Sequence, residues 1–131
     1  IPKFIAEKVI KLLVNSKIDL KNASILILGI TFKENCPDIR NSKVIEVINS
    51  LKEYGIDLYI NDPVADSVNV HDEFGIQLTA DIYTKKYDGI ILAVPHDSFS
   101  KVNYESLKKS SSSVIYDVKS RLDRNIITDR L

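Results

Sequence analysis

Three short runs, SILILGI (Ser24 to Ile30), DGIILAVP (Asp88 to Pro95) and SSVIYDVKS (Ser112 to Ser120), are built around consecutive apolar, largely β-branched residues. A strand with one wet face alternates apolar with polar side chains, so an unbroken apolar run belongs to a strand covered on both faces. Between the runs the period changes. From Ser42 to Tyr54, Val44, Val47, Ile48 and Leu51 form one stripe, with Glu46, Asn49, Lys52 and Glu53 opposite and Gly55 where a helix stops. IDLYIND (Ile56 to Asp62) reads as a further strand ended by Pro63. In the less legible residues 64–87, GIQLT is predicted as a short strand and DIYTKKY as a helical turn or two. SFSKVNYESLKKS is predicted as a helix, and the serine run Ser110 to Ser113 as a solvated turn before the last strand. Strands alternating with helices at this spacing pair in parallel through crossovers. The expected fold is α/β: a Rossmann-like, doubly wound, open parallel sheet in three αβα layers.

One such unit uses most of the chain. With 131 residues, 44% hydrophobic and 27% charged, there is enough material for one well-packed core and too little for two. Ile1 to Ser16 reads as an amphipathic docking helix: Pro2 suits the first turn, Ile5, Val9, Leu12 and Leu13 repeat at helical spacing, and Lys3, Glu7, Lys8 and Lys11 lie opposite. Eighteen basic residues balance eighteen acidic ones, so nothing in the overall field attracts nucleic acid or an anionic membrane, and any anion site is local. The lone Cys36 has no internal disulfide partner, and neither an 18-residue apolar run nor a signal peptide is visible, which points to a cytoplasmic protein. The opening IPKF, without an initiator Met, is read as the start of a piece of a longer chain.

In open α/β sheets ligands sit at the carboxyl ends of the strands, near the point where strand order reverses. A dinucleotide site would follow the first strand with G-x-G-x-x-G, letting the backbone press on a pyrophosphate, but here Gly29 is followed by Ile, Thr, Phe, Lys, Glu and Asn. The residues after the strands are Lys33, then Asp62, then His96 and Asp97, then Lys119 and Arg121. With Arg40, these cations cluster beside the amino end of the helix beginning near Ser42, where the dipole also favours anions, so a phosphate or pyrophosphate ligand follows. Asp62 sits where some folds hold a ribose, but without the glycines a turn-forming Asp-Pro is the better role. His96 is either an acid or base, or part of a strand-to-helix turn capped by Asp97 or Ser98. Cys36 has no activating base in its own segment and is not assigned as a nucleophile, and no metal ligands are assigned.

The stretch GITFKENCPDIRNSKVIEVI, with YINDPVAD, YDGIILAVPHDSF and VIYDVKSRL, resembles the C-terminal domain of the UDP-glucose/GDP-mannose dehydrogenase family. FKENCPDIRNSKV is most similar to bacterial UDP-N-acetylhexosamine 6-dehydrogenases, which make uronic acids for capsule, Vi-type or O-antigen polysaccharides. The resemblance implies two Rossmann-like domains joined by a long helix across which the protein forms a homodimer or larger assembly. Residues 1–20 would end that linker, and 21–131 would be the UDP-sugar-binding domain. NAD would be held mainly by the absent N-terminal domain, and the catalytic cysteine would lie in the absent region too, so this piece carries no catalytic residue and is inactive alone.

The complete enzyme would oxidise the C6 hydroxyl of a UDP-sugar to a carboxylate through two hydride transfers to NAD, by way of a thiohemiacetal and a thioester. Position by position, Phe32 and Lys33 match residues lining the UDP-sugar site, and Arg40 matches an arginine that reaches NAD across the domain interface. DVKSRL matches a stretch supplying a basic substrate contact. Where UDP-glucose members have two adjacent arginines, this chain has Lys119 and Ser120, so Lys119 and Arg121 both remain candidates for the contact. Two rival classes are a receiver module and a nucleotide-binding module or NAD domain of another dehydrogenase. The first lacks the acidic pair it needs after strand one, and the second lacks the glycines.

Overall fold

A computed structural model describes residues 1–131. Five strands, β1 (Ser24–Leu28), β2 (Asp57–Asn61), β3 (Gly89–Leu92), β4 (Val114–Asp117) and β5 (Asp129–Arg130), form one sheet in the order β2-β1-β3-β4-β5, every pair parallel. From β1 the chain moves outward to β2, then returns past β1 to lay β3 on its other side. The strand order therefore reverses between β1 and β3. The α/β, doubly wound fold expected from the apolar runs is the one observed.

Alternation along the strands divides the core into two layers, because successive side chains of a strand point to opposite faces. Ile25, Ile27, Ile91, Val114 and Tyr116 face a cluster shared with α1 (Pro2–Asn15), α2 (Val44–Lys52) and Val70 of α3 (Ser67–Phe74). Leu26, Leu28, Ile90, Leu92 and Ile115 face the opposite cluster, which is closed by Ile82, Tyr87, Phe99, Tyr104 and Leu107. The N-terminal helix docks as expected, burying Ile5, Ala6, Val9, Ile10 and Leu13. Val9 and Leu13 are fully buried, and each contributes about 1.5–3 kcal/mol. Lys8 also reaches Asp129 of β5 at 3.2 Å.

Four sequence expectations need correction. GIQLT is not a strand: it runs beside the β2 edge, with one backbone bond from Thr79 N–H to Ile60 O (2.7 Å) and a latch from Asn61 Nδ2 to Thr79 O (2.8 Å). The helix expected over SFSKVNYESLKKS is broken into a 3-10 segment, Asp97–Lys101, and a short α4, Tyr104–Leu107, because Asn103 turns its side chain onto the Ser106 N–H and restarts the helix. The helix expected from Ser42 to Tyr54 is shorter, Val44–Lys52. Finally, SSVIYDVKS is not the last strand, since β5 follows it at the sheet edge. DIYTKKY does contain a helical turn, Ile82–Thr84. The unexpected α3 is capped by Asp66, whose carboxylate accepts from Val68 and Asn69 N–H.

Candidate functional site

Gly29 carries the geometry that opens the site. It has φ +97°, and a Cβ placed on it would lie 2.5 Å from Val94 Cβ and 2.7 Å from Val94 O. The chain leaving β1 thus runs directly against the chain leaving β3, and only a residue without a side chain permits the approach. Beyond this contact the two segments diverge around a cleft of about 760 Å³ at the carboxyl edge of the sheet. Its apolar wall comes from Ile91, Ala93, Val94 and Val118, with Val44 and Val47 of α2.

Four sequence-predicted residues, Phe32, Lys33, Lys119 and Arg121, line this one cleft. Phe32 is 53% exposed, an aromatic ring left in water at the cleft wall. Lys43, which the sequence reading missed, joins them at the start of α2, as does Glu34. Four cationic side chains therefore face one carboxylate in a chain of zero formal charge. Glu34 pairs with Arg121 at 2.8 Å, bridging the loops after β1 and β4. The other lysine and arginine ion pairs involve Lys8, Arg40, Lys108 and Lys109, so Lys33, Lys43 and Lys119 are free to meet an anion. A cation immediately before an apolar helical stripe, beside a strand-end lysine, was the signal that could have found Lys43.

Arg40 does not line this cleft. It lies exposed in the loop and forks onto Asp38, Nε to Oδ1 at 3.0 Å and Nη2 to Oδ2 at 3.1 Å. The hydrogen bonds from Arg40 hold the Asp38 carboxyl below its ordinary range.

Asp62 and His96 also lie at this edge, but their side chains are completely buried. Asp62 Oδ1 accepts from Val64 N–H (2.8 Å) and Ala65 N–H (2.9 Å), the turn expected of Asp-Pro. Burial pushes its pKa up, but the hydrogen bond from His96 and the backbone N–H bonds from Ile30, Ala65 and Val64 outweigh it, leaving the carboxyl below its usual range. Neither group is open to a ligand. Cys36 is a half-buried free thiol.

The first crossover does not fit a dinucleotide. Gly29 is already closed over by Val94, no second glycine follows, and α2 begins only at Val44. The UDP binding domain of the UDP-glucose/GDP-mannose dehydrogenase family matches residues 26–124. The chain belongs to this family. Within the UDP-glucose/GDP-mannose dehydrogenases, it is 38% identical over 118 residues to the UDP-N-acetyl-D-glucosamine 6-dehydrogenase of Salmonella typhi, a match covering 88% of this chain and 28% of that protein. Protein CapL of Staphylococcus aureus is 40% identical over 119 residues, covering 89% of this chain and 28% of CapL. The chain thus spans under a third of the curated relatives it matches. The UDP-D-ManNAc dehydrogenase of Pyrococcus horikoshii superposes with a TM-score of 0.77 at 21% identity, over 98% of this chain and 30% of that one, and so shares the fold.

Proposed function

We propose that this domain holds the nucleotide sugar of an NAD-dependent 6-dehydrogenase, binding a UDP-N-acetylhexosamine, or UDP-glucose, for oxidation to the uronic acid used in surface polysaccharide synthesis in the cytoplasm. The convergence of Phe32, Lys33, Lys119 and Arg121 on one cleft carries the proposal. Phe32 offers a flat apolar face to the base or sugar, while Lys33 and a cation from the β4 loop meet the diphosphate. A charge-assisted hydrogen bond contributes about 1.5–3 kcal/mol, so two or three suffice for selective capture of a diphosphate in a neutral protein.

In this proposal residues 1–20 end an inter-domain linker and 21–131 form the substrate domain. The cysteine nucleophile and the main NAD site belong to a preceding domain of the same polypeptide, and the whole assembles as a homodimer or larger. Arg40, outside the cleft and on the same loop as Lys33, is the residue proposed to reach NAD once it leaves Asp38.

Titration calorimetry of the 131-residue chain at roughly millimolar ligand tests this. Saturable heat with UDP and with UDP-N-acetylglucosamine, none with NAD, and no NADH formation from the mixture are the expected results. Binding of NAD without UDP would identify a dinucleotide module instead.

A further inference from the structure

We propose that His96 and Asp62 are positioning residues for the substrate loop: as a buried pair they set the course of residues 30–35, and with it the place of Phe32 and Lys33, while His96 is neutral and protonated at Nε2. The inference rests on the substrate role of the cleft proposed above.

Asp62 Oδ2 accepts from Ile30 N–H (2.7 Å), Thr31 N–H (3.2 Å) and His96 Nε2 (2.9 Å). The carboxylate therefore grips the chain as it leaves β1. His96 grips the same loop further along, where its Nδ1 accepts from Asn35 N–H at 2.9 Å. Phe32 and Lys33 lie between these two anchors. Between them Thr31 Oγ1 also donates to Lys33 O at 3.0 Å, and Asn35 Oδ1 accepts from Asp97 N–H at 2.9 Å. Asn35 has φ +59°, a left-handed conformation that asparagine adopts more readily than other residues with a side chain.

The proton on His96 is assigned from both ends. The Thr31 hydroxyl has one proton and gives it to Lys33 O, so at 3.3 Å from Nε2 it can only accept; ionised Asp62 is also an acceptor. Nε2 must carry the hydrogen, and Nδ1 must keep its lone pair for Asn35 N–H. A second proton on the ring would set N–H against N–H at 2.9 Å and release the far anchor while the near one holds.

The charged groups around the ring are Asp62, directly after β2, Arg121 from the β4 loop, and Asp97, exposed beside it. Lys33 and Glu34 project from the loop itself into the cleft. The Phe99 ring, 5.5 Å from the imidazole, closes another side.

NMR of the chain tests the inference with readouts that do not depend on any ligand. Long-range proton–nitrogen spectra should show His96 Nδ1 as the unprotonated nitrogen. His96→Gln should raise amide exchange at Asn35 about tenfold while Leu26 and Ile27 in β1 stay unchanged, and should weaken UDP severalfold. Protonated Nδ1 in the neutral ring, or unchanged Asn35 exchange in a folded His96→Gln, overturns the assignment.

If that variant unfolds, the parent protein decides: a nitrogen–nitrogen coupling across the hydrogen bond from Asn35 N–H to His96 Nδ1 should be detected, and its absence overturns the far anchor. A parent that binds no UDP refutes the substrate role, and the exchange data still decide the positioning.

Discussion

Gly29→Ala is the most informative single change, because its cost follows from distances already given. The new methyl would sit 2.5 Å from Val94 Cβ, 2.7 Å from Val94 O and 2.8 Å from Val94 N. Two of these are backbone atoms held by hydrogen bonds: Val94 N–H bonds to Leu28 O at 3.2 Å, beside Ala93 N–H to the same oxygen at 2.9 Å, and Val94 O accepts from His96 N–H at 2.9 Å. Relief therefore requires the ends of β1 and β3 to separate, which is overpacking against a rigid neighbour and costs about 1–3 kcal/mol. Alanine at φ +97° adds about 1–3 kcal/mol of backbone strain.

The control is Gly55→Ala. Gly55 has φ +74° but nothing within 4 Å of a Cβ, so it reports the backbone term alone. The expected difference between the two variants is about 1–3 kcal/mol, which at a urea m-value of about 1.5 kcal/mol/M separates their midpoints by about 0.7–2 M. Because Val94 lines the cleft, Gly29→Ala should also weaken UDP, whereas Gly55→Ala should not. Equal urea midpoints for the two variants would refute the claim that close approach of β1 and β3 demands this glycine.

Other outcomes follow from the same geometry. Lys33→Ala and Lys119→Ala should each weaken UDP about tenfold or more by calorimetry; Arg40→Ala should leave UDP within about twofold and, in the longer enzyme proposed above, raise the KM for NAD. Asp62→Asn leaves at least two buried N–H donors facing an NH2 group and, at about 1–3 kcal/mol for each, should cost about 2–6 kcal/mol in urea unfolding. Since the folded pKa of Asp62 lies below the unfolded value of about 4, ionised Asp62 adds stability to the parent above that pH, and this contribution is lost as pH falls through the folded pKa. Asp62→Asn should accordingly show a flatter acid limb. Cys36→Ser in the longer enzyme proposed above should keep turnover within about threefold, and a collapse with the fold intact would refute the reading of Cys36 as a bystander.

What the sequence determined alone was the inner strands of the sheet and the edge at which its strand-end cations gather. β1, β3 and β4 are buried on both faces, and burial on both faces leaves a local mark, an unbroken apolar run, that needs no knowledge of neighbours. The strand-end cations were legible for the same reason, since a parallel sheet gathers the residues after its strands at one edge. Where the local signal was weak, prediction failed: α3 has few apolar residues and buries only Val70, and β5 is two residues long and paired by long-range contact. The helix expected near residue 100 failed because the Asn103 side chain competes with the helix backbone, a choice made by geometry and not by apolar spacing.

Only the tertiary structure decided which polar residues face the cleft and which face each other. Lys33 and Arg40 share a loop, yet one lines the cleft and the other folds onto Asp38. Asp62 and His96, 34 residues apart, read separately as a turn residue and as either an acid or base or part of a turn; folding buries both side chains and makes them a pair that anchors the loop carrying Phe32 and Lys33. A buried hydrogen bond has no periodicity in sequence, because its partners are brought together by the sheet and not by the chain between them.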